Sequence, residues 1–139
     1  MTTTSRSREF EPTIFEFDEI EWVDERREPH QAPKLIEEAE RTGARRKRIA
    51  TGEGGFFQQY TSMPPGFSVP MHAHDHDELF IVLSGGCTFW PDGPSRSVEL
   101  KPRDSVALAA NHEYSFVCGP EGMDFYVIRQ GEAGVTPMP

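Results

Sequence analysis

The sequence predicts an all-β domain whose short strands close into a barrel or sandwich. Three observations carry that expectation. Proline and glycine number 12 each while the hydrophobic fraction is only 36%, a turn-rich balance that suits β structure better than a helical bundle. Short apolar runs separated by Gly/Pro turns recur at close intervals between Phe56 and Arg129, the spacing of a sandwich or barrel. A chain of 139 residues is also large enough for one domain with a single core.

Residues 1–12 are polar and read as a flexible tail. Residues 13–48 form an N-terminal arm. Within it the imperfect alternation of Phe15, Phe17, Ile20 and Trp22 suggests one or two edge strands. Their apolar side chains need cover, and two covers are open: a second copy, giving a homodimer through the arm, or the chain's own barrel. Pro33, followed by Lys34-Leu-Ile-Glu-Glu-Ala-Glu-Arg41, starts one short helix that Gly43 ends. Arg45-Arg46-Lys47-Arg48 comes next. Four cations in a row can grip an anion or form a solvated strand entry, and the net charge of −9 favours the second.

Residues 49–130 hold the barrel. The run from Phe56 to Met63 reads as a strand, with Phe57, Gln59 and Thr61 on one face and Phe56, Gln58 and Tyr60 on the other. One of the two sets looks inward. Pro64-Pro65-Gly66 then turns the chain into the stretch that carries the chemistry. Later strands are expected at Cys87-Thr-Phe-Trp90, Val98-Glu-Leu100, Ser105-Val-Ala-Leu-Ala109, Tyr114-Ser-Phe-Val-Cys118 and Phe125-Tyr-Val-Ile-Arg129. The turns between them are rich in Gly, Pro and Asp. Residues 131–139 read as a loose C-terminal tail.

The candidate site lies between Pro65 and Gly86. Its spacing is Gly66, five residues, His72, one residue, His74, three residues, Glu78, six residues, Gly85. In an extended chain His72, His74, His76, Glu78, Phe80 and Val82 share one face. Two imidazoles two apart, with a carboxylate further along, converge on one divalent ion. Such a set leaves coordination positions open and suits Fe, Mn, Ni, Co or Zn. His76 is the extra histidine, expected near the barrel mouth beside the ion rather than on it.

This stretch resembles the first motif of the cupin superfamily: a glycine, five residues, His-x-His, three or four residues, Glu, six residues, a glycine. The resemblance covers residues 52–129. It implies an all-β, single cupin-type double-stranded β-helix, a jelly-roll barrel, with a metal inside. The second cupin motif resembles Lys101–Phe116 with three departures: Arg103 where glycine is usual, Ala109 where proline is usual, and Tyr114 where a histidine completes the metal shell. His112 falls two residues earlier. On this resemblance the metal set is His72, His74, Glu78 and Tyr114.

His112, Tyr114 and Phe116 share strand parity, so three arrangements stay open. Tyr114 ligates or hydrogen-bonds a bound molecule; His112 reaches in through a bulge as fourth ligand or proton shuttle; or neither reaches the ion. Tyr114 is ranked first, and both are candidate catalytic residues. Gln59, Phe80, Phe116 and Tyr126 are the expected substrate contacts.

Cupins include oxygenases, isomerases, lyases and cyclases as well as binding and sensing proteins, so the resemblance implies no single chemistry. The first expectation is a metal-dependent enzyme acting on a small, oxygen-rich organic substrate. The alternative is a non-catalytic small-molecule-binding or sensing cupin. An acidic chain is a poor partner for nucleic acid. No leader pattern or membrane-length apolar run stands in the sequence, so the expected location is the cytoplasm, with Cys87 and Cys118 as reduced thiols.

Overall fold

Two long strands, each bent in the middle, organise the barrel. Along the chain the elements are α1 (Pro33–Thr42), β1 (Arg45–Thr51), β2 (Phe57–Met63), β3 (Ser68–His74), β4 (Glu78–Pro94), β5 (Val98–Leu100), β6 (Ser105–Leu108), β7 (Tyr114–Arg129) and β8 (Val135–Pro137). The computed structural model describes residues 11–27, 33–130 and 135–137, the last three by backbone alone. Every strand pairing is antiparallel.

β4 and β7 run side by side from Glu78 opposite Arg129 to Trp90 opposite Ser115. Between Gly85 and Cys87 the partner jumps from Met123 to Cys118, and there both strands pass from one sheet to the other. The first half of β4 and second half of β7 lie with β2 and β6, and β1 extends that sheet beyond β2. Their other halves lie with β3 and β5, and β8 pairs with β3. The sequence suggests two strands in each of these stretches; the ladder instead continues through each bend.

Glycine makes the bend possible. Gly85 and Gly122 have φ of 69° and 74°. A Cβ on Gly85 would lie 2.0 Å from the Gly122 carbonyl oxygen, and one on Gly122 would lie 2.5 Å from that of Met63. Only a residue without a side chain permits such an approach.

The two sheet halves face each other across a core of aromatic rings. Phe80 stacks on Phe125 at 4.4 Å and meets Phe89 and Phe116 at 5.5 Å each. All four are buried, and each such side chain contributes about 1.5–3 kcal/mol on leaving water. The core thus draws on both halves of each bent strand.

The arm differs from the expectation of edge strands. Described residues 11–27 contain 3-10 turns at Phe17–Glu19 and Glu25–Arg27 and no strand. Phe17 and Trp22 pack against Tyr60 on the outer face of β2, and the arm then meets the edge strand β1, with a backbone bond from Val23 N to Arg46 O at 2.9 Å. Side chains supply the rest of the attachment. Buried Lys47 donates to the Phe17 carbonyl at 2.8 Å and sits 3.9 Å over the Phe17 ring. Arg46 forks onto Glu25 at 2.7 and 2.9 Å, and Arg45 covers Trp22 at 4.0 Å. Three of the four consecutive cations therefore fasten the arm to its own barrel.

Helix α1 begins at Pro33 and ends where Gly43 N bonds Ala39 O at 2.9 Å, as its residues suggest. At the other end of the chain, residues 135–137 pair with β3 as β8, where a loose tail is expected. Residues 1–10 of the expected N-terminal tail lie outside the described residues. Among the described residues no helix is long and apolar enough to cross a membrane.

Candidate functional site

Two cross-strand pairs, one from each facing sheet half, build the site. On β3 the register with β7 slips between Val69 and His72. That irregularity lets Val69 and His72 both turn inward although their spacing is odd. His72 then stands opposite Tyr114 on β7. β3 ends at His74, residues 75–77 turn the chain, and Glu78 opens β4 opposite Arg129. The His-x-His pair and the glutamate therefore sit on different strands, not along one face of a single strand.

The pairs meet across the barrel. Tyr114 Oη donates to Glu78 Oε1 at 2.7 Å, and Arg129 Nε donates to Glu78 Oε2 at 3.3 Å. The His72 ring centre lies 4.4 Å from that of Tyr114 and 5.0 Å from that of His74. His74 Nε2 is 3.8 Å from Glu78 Oε1.

Burial shapes this cluster and sets the protonation of Tyr114 and His72. The Glu78 side chain is only 1% exposed, and a buried carboxylate needs donors or an opposite charge; Tyr114 and Arg129 provide both. Burial first, and then the charge and hydrogen bond of Glu78, hold the Tyr114 phenol well above its ordinary pKa. Tyr114 is therefore a proton-bearing donor at neutral pH. Burial also pushes His72 down. Its Nδ1 faces the Pro70 carbonyl at 2.9 Å; a carbonyl only accepts, so the neutral ring carries its proton on Nδ1 and keeps a lone pair on Nε2.

The donor chemistry of His72, His74 and Glu78 fits a divalent transition metal, which takes neutral imidazole and carboxylate. The 3.8 Å between His74 Nε2 and Glu78 Oε1 is too long for a hydrogen bond. It falls within the roughly 3–4 Å that separates two ligands sharing an ion at bonds of about 2.1 Å. Among the described residues, however, no three His, Cys, Asp or Glu side chains close on one point as they stand; Glu78 is held toward Tyr114 and Arg129.

Other expected site residues go elsewhere. His112 turns out of the barrel, its Nε2 bonded to the Pro91 carbonyl and 3.3 Å from Asp92 Oδ1. The turn behind this placement passes through Asn111 at φ 66°. His76 is on the surface against Asp75. Gln59 shares the inward face, but its amide is engaged by Arg46 at 3.0 Å and Thr61 at 3.2 Å. Phe80 and Phe116 are filled core beneath the site rather than open lining. Tyr126 faces outward, meeting Tyr60 at 5.9 Å on the arm side, because Phe125 and Val127 take the inward parity on β7. The residue that sequence reasoning missed is Arg129. The same parity, counted two residues on from Val127, is the signal that finds it.

No curated protein sequence matches the chain. Several solved structures are similar. KdgF from Halomonas sp. shares 20% identity at TM-score 0.63, over 86% of this chain and 96% of that one. The polyketide cyclase RemF from Streptomyces resistomycificus shares 21% at TM-score 0.60, over 69% and 71%. The DMSP lyase DddQ from Ruegeria pomeroyi DSS-3 shares 22% at TM-score 0.57, over 65% of this chain and 45% of that one. At these identities the likeness is one of fold. A family profile described as "Cupin domain" matches residues 59–129, a span that contains His72, His74, Glu78, Tyr114 and Arg129, and with the bent-strand barrel just described it shows that the chain belongs to the cupin family.

Proposed function

We propose that this chain is an enzyme that moves a proton on a small, oxygen-rich organic molecule, with one divalent transition metal held by His72, His74 and Glu78. The observation that carries this reading is the buried 2.7 Å hydrogen bond from Tyr114 to Glu78 beside two imidazoles. A bound ion would polarise a substrate oxygen and stabilise the charge that develops on it. The side chains do the remaining work. Tyr114, kept protonated by burial, is a donor for that developing charge. Glu78 orients the phenol, and the Pro70 carbonyl fixes the His72 ring. Phe89 stacks beneath Tyr114 at 5.4 Å and, with Phe116, keeps water from below.

Lyase, isomerase and cyclase reactions share this need for a placed proton. Two structural neighbours bear the printed names polyketide cyclase and DMSP lyase, which supports proton transfer over oxygen chemistry. One observation favours a second reading, a non-catalytic binding or sensing barrel: Arg129 already offsets the charge of Glu78.

Incubating metal-loaded protein in D2O with 2-oxo acids and hydroxy-ketones, followed by proton NMR, separates the two. Catalysed exchange is expected in the wild type, falling about hundredfold in Tyr114→Phe at unchanged metal content. Exchange no faster than in buffer across the whole panel would overturn the enzyme reading in favour of the binding barrel.

A further inference from the structure

Arg129 is a cation inside a barrel, and its only hydrogen bond among the described residues uses one of its three nitrogens. Nε reaches Glu78 Oε2 at 3.3 Å, a single long bond rather than the parallel pair a guanidinium makes with a carboxylate. No described residue accepts from its two terminal amino groups. Those groups are not sealed in either, since no fully buried side-chain nitrogen or oxygen among the described residues lacks a partner. The side chain is 15% exposed against 1% for Glu78. The terminal groups thus keep some access to solvent at this rim while Nε is tied to Glu78.

The neighbours on this rim narrow the chemistry that suits the fork. In the strand ladder Arg129 stands between Glu78 on β4 and Phe57 on β2, with Leu108 of β6 beyond Glu78. These cross-strand partners share its inward face, and two of them are apolar. His72 and Tyr114 lie on the opposite half, bridged to Glu78 through the Tyr114 hydroxyl. The fork is one positive charge beside one negative charge. A planar monoanion can take both amino groups and keep its distance from Glu78.

We infer that the ligand of this barrel carries a carboxylate, received by the two terminal amino groups of Arg129, with its carbon body lying between Phe57 and Tyr114. This deepens the functional reading above and rests on it only in placing the ligand at this end of the barrel. Arg129 is then a specificity residue for the same site.

Calorimetric titration tests it with pyruvate, malonate and phenylpyruvate, each against its uncharged methyl ester. The proteins are the wild type, Arg129→Met, which keeps the stem without the charge, and Arg129→Lys, which keeps a charge without the fork. Each is measured as purified and after dialysis against EDTA, so that carboxylate binding to an ion is told apart from binding to Arg129. Saturable binding of at least one carboxylate is expected in the wild type, about tenfold weaker in Arg129→Met and intermediate in Arg129→Lys, with no binding of the esters. Equal binding by wild type and Arg129→Met overturns the inference, as does equal binding of acid and ester in the wild type or failure of all three acids to bind. The D2O experiment reads a different quantity. Proton exchange with Arg129-independent binding would sink this inference alone, and Arg129-dependent binding without exchange would sink the enzyme reading alone.

Discussion

Glu78→Ala is expected to lower the unfolding free energy by about 3 kcal/mol in urea denaturation, among the largest effects of any single substitution in this barrel. The carboxylate is 1% exposed and receives hydrogen bonds from Tyr114 and Arg129, which reach it from β7 at two separate positions. Its removal leaves a cation without its counter-charge and a buried phenol without its acceptor, and each loss costs free energy of its own. It also opens a cavity between the two sheet halves. The coupling is testable through a second substitution. Combined with Arg129→Met, the loss should be clearly smaller than the sum of the two single losses, because the orphaned charge is gone. A cost below about 1 kcal/mol for Glu78→Ala would mean that the buried pair contributes little to the fold.

Gly85→Ala should be similarly costly, by about 3 kcal/mol, or a fall of roughly 10 °C in Tm for a domain of this size. Two effects add. The left-handed backbone at φ 69° costs a residue with a side chain about 1 kcal/mol. The new methyl group would also lie 2.0 Å from the Gly122 carbonyl oxygen, so the bend where β4 and β7 change sheets must move. Gly93 is the control. It has φ 76° but nothing within 4 Å of a built Cβ, so Gly93→Ala should show the backbone cost alone. Equal losses at both positions would show that close approach is not what requires glycine at Gly85. The final glycine of the motif is thus explained by the route of the chain and not by the site.

The residues of the site were largely legible, and their geometry less so. His72, His74 and Glu78 stand out by spacing, the resemblance to the second cupin motif points to Tyr114, and the structure places Tyr114 opposite His72. Parity along one continuous strand predicts that these side chains meet. They do come together, but by another route, because a turn at residues 75–77 separates β3 from β4. That turn is also why His76, which has the same parity, ends on the surface. His112 and Tyr126 show the same limit: alternation holds only within one strand and only once its inward face is known. Arg103 is an instructive case. It replaces the usual glycine of the second motif yet keeps a left-handed φ of 79°, with its N–H bonded to Val82 O at 2.8 Å. The backbone requirement stayed while the residue type changed. The clamp of the arm by Arg45, Arg46 and Lys47 depends on contacts between segments distant in sequence, such as Arg46 with Glu25 at a separation of 21, and local pattern does not reveal those.

Metal content tests the central claim most directly. Elemental analysis should be run on untagged wild type, His72→Ala and His112→Ala after reconstitution with divalent transition metals. The account predicts about one equivalent of metal in the wild type and in His112→Ala, whose ring is bonded to Pro91 and close to Asp92 outside the site, and its loss in His72→Ala. A wild type that holds no metal and takes none up would contradict it, as would a metal that His72→Ala retains.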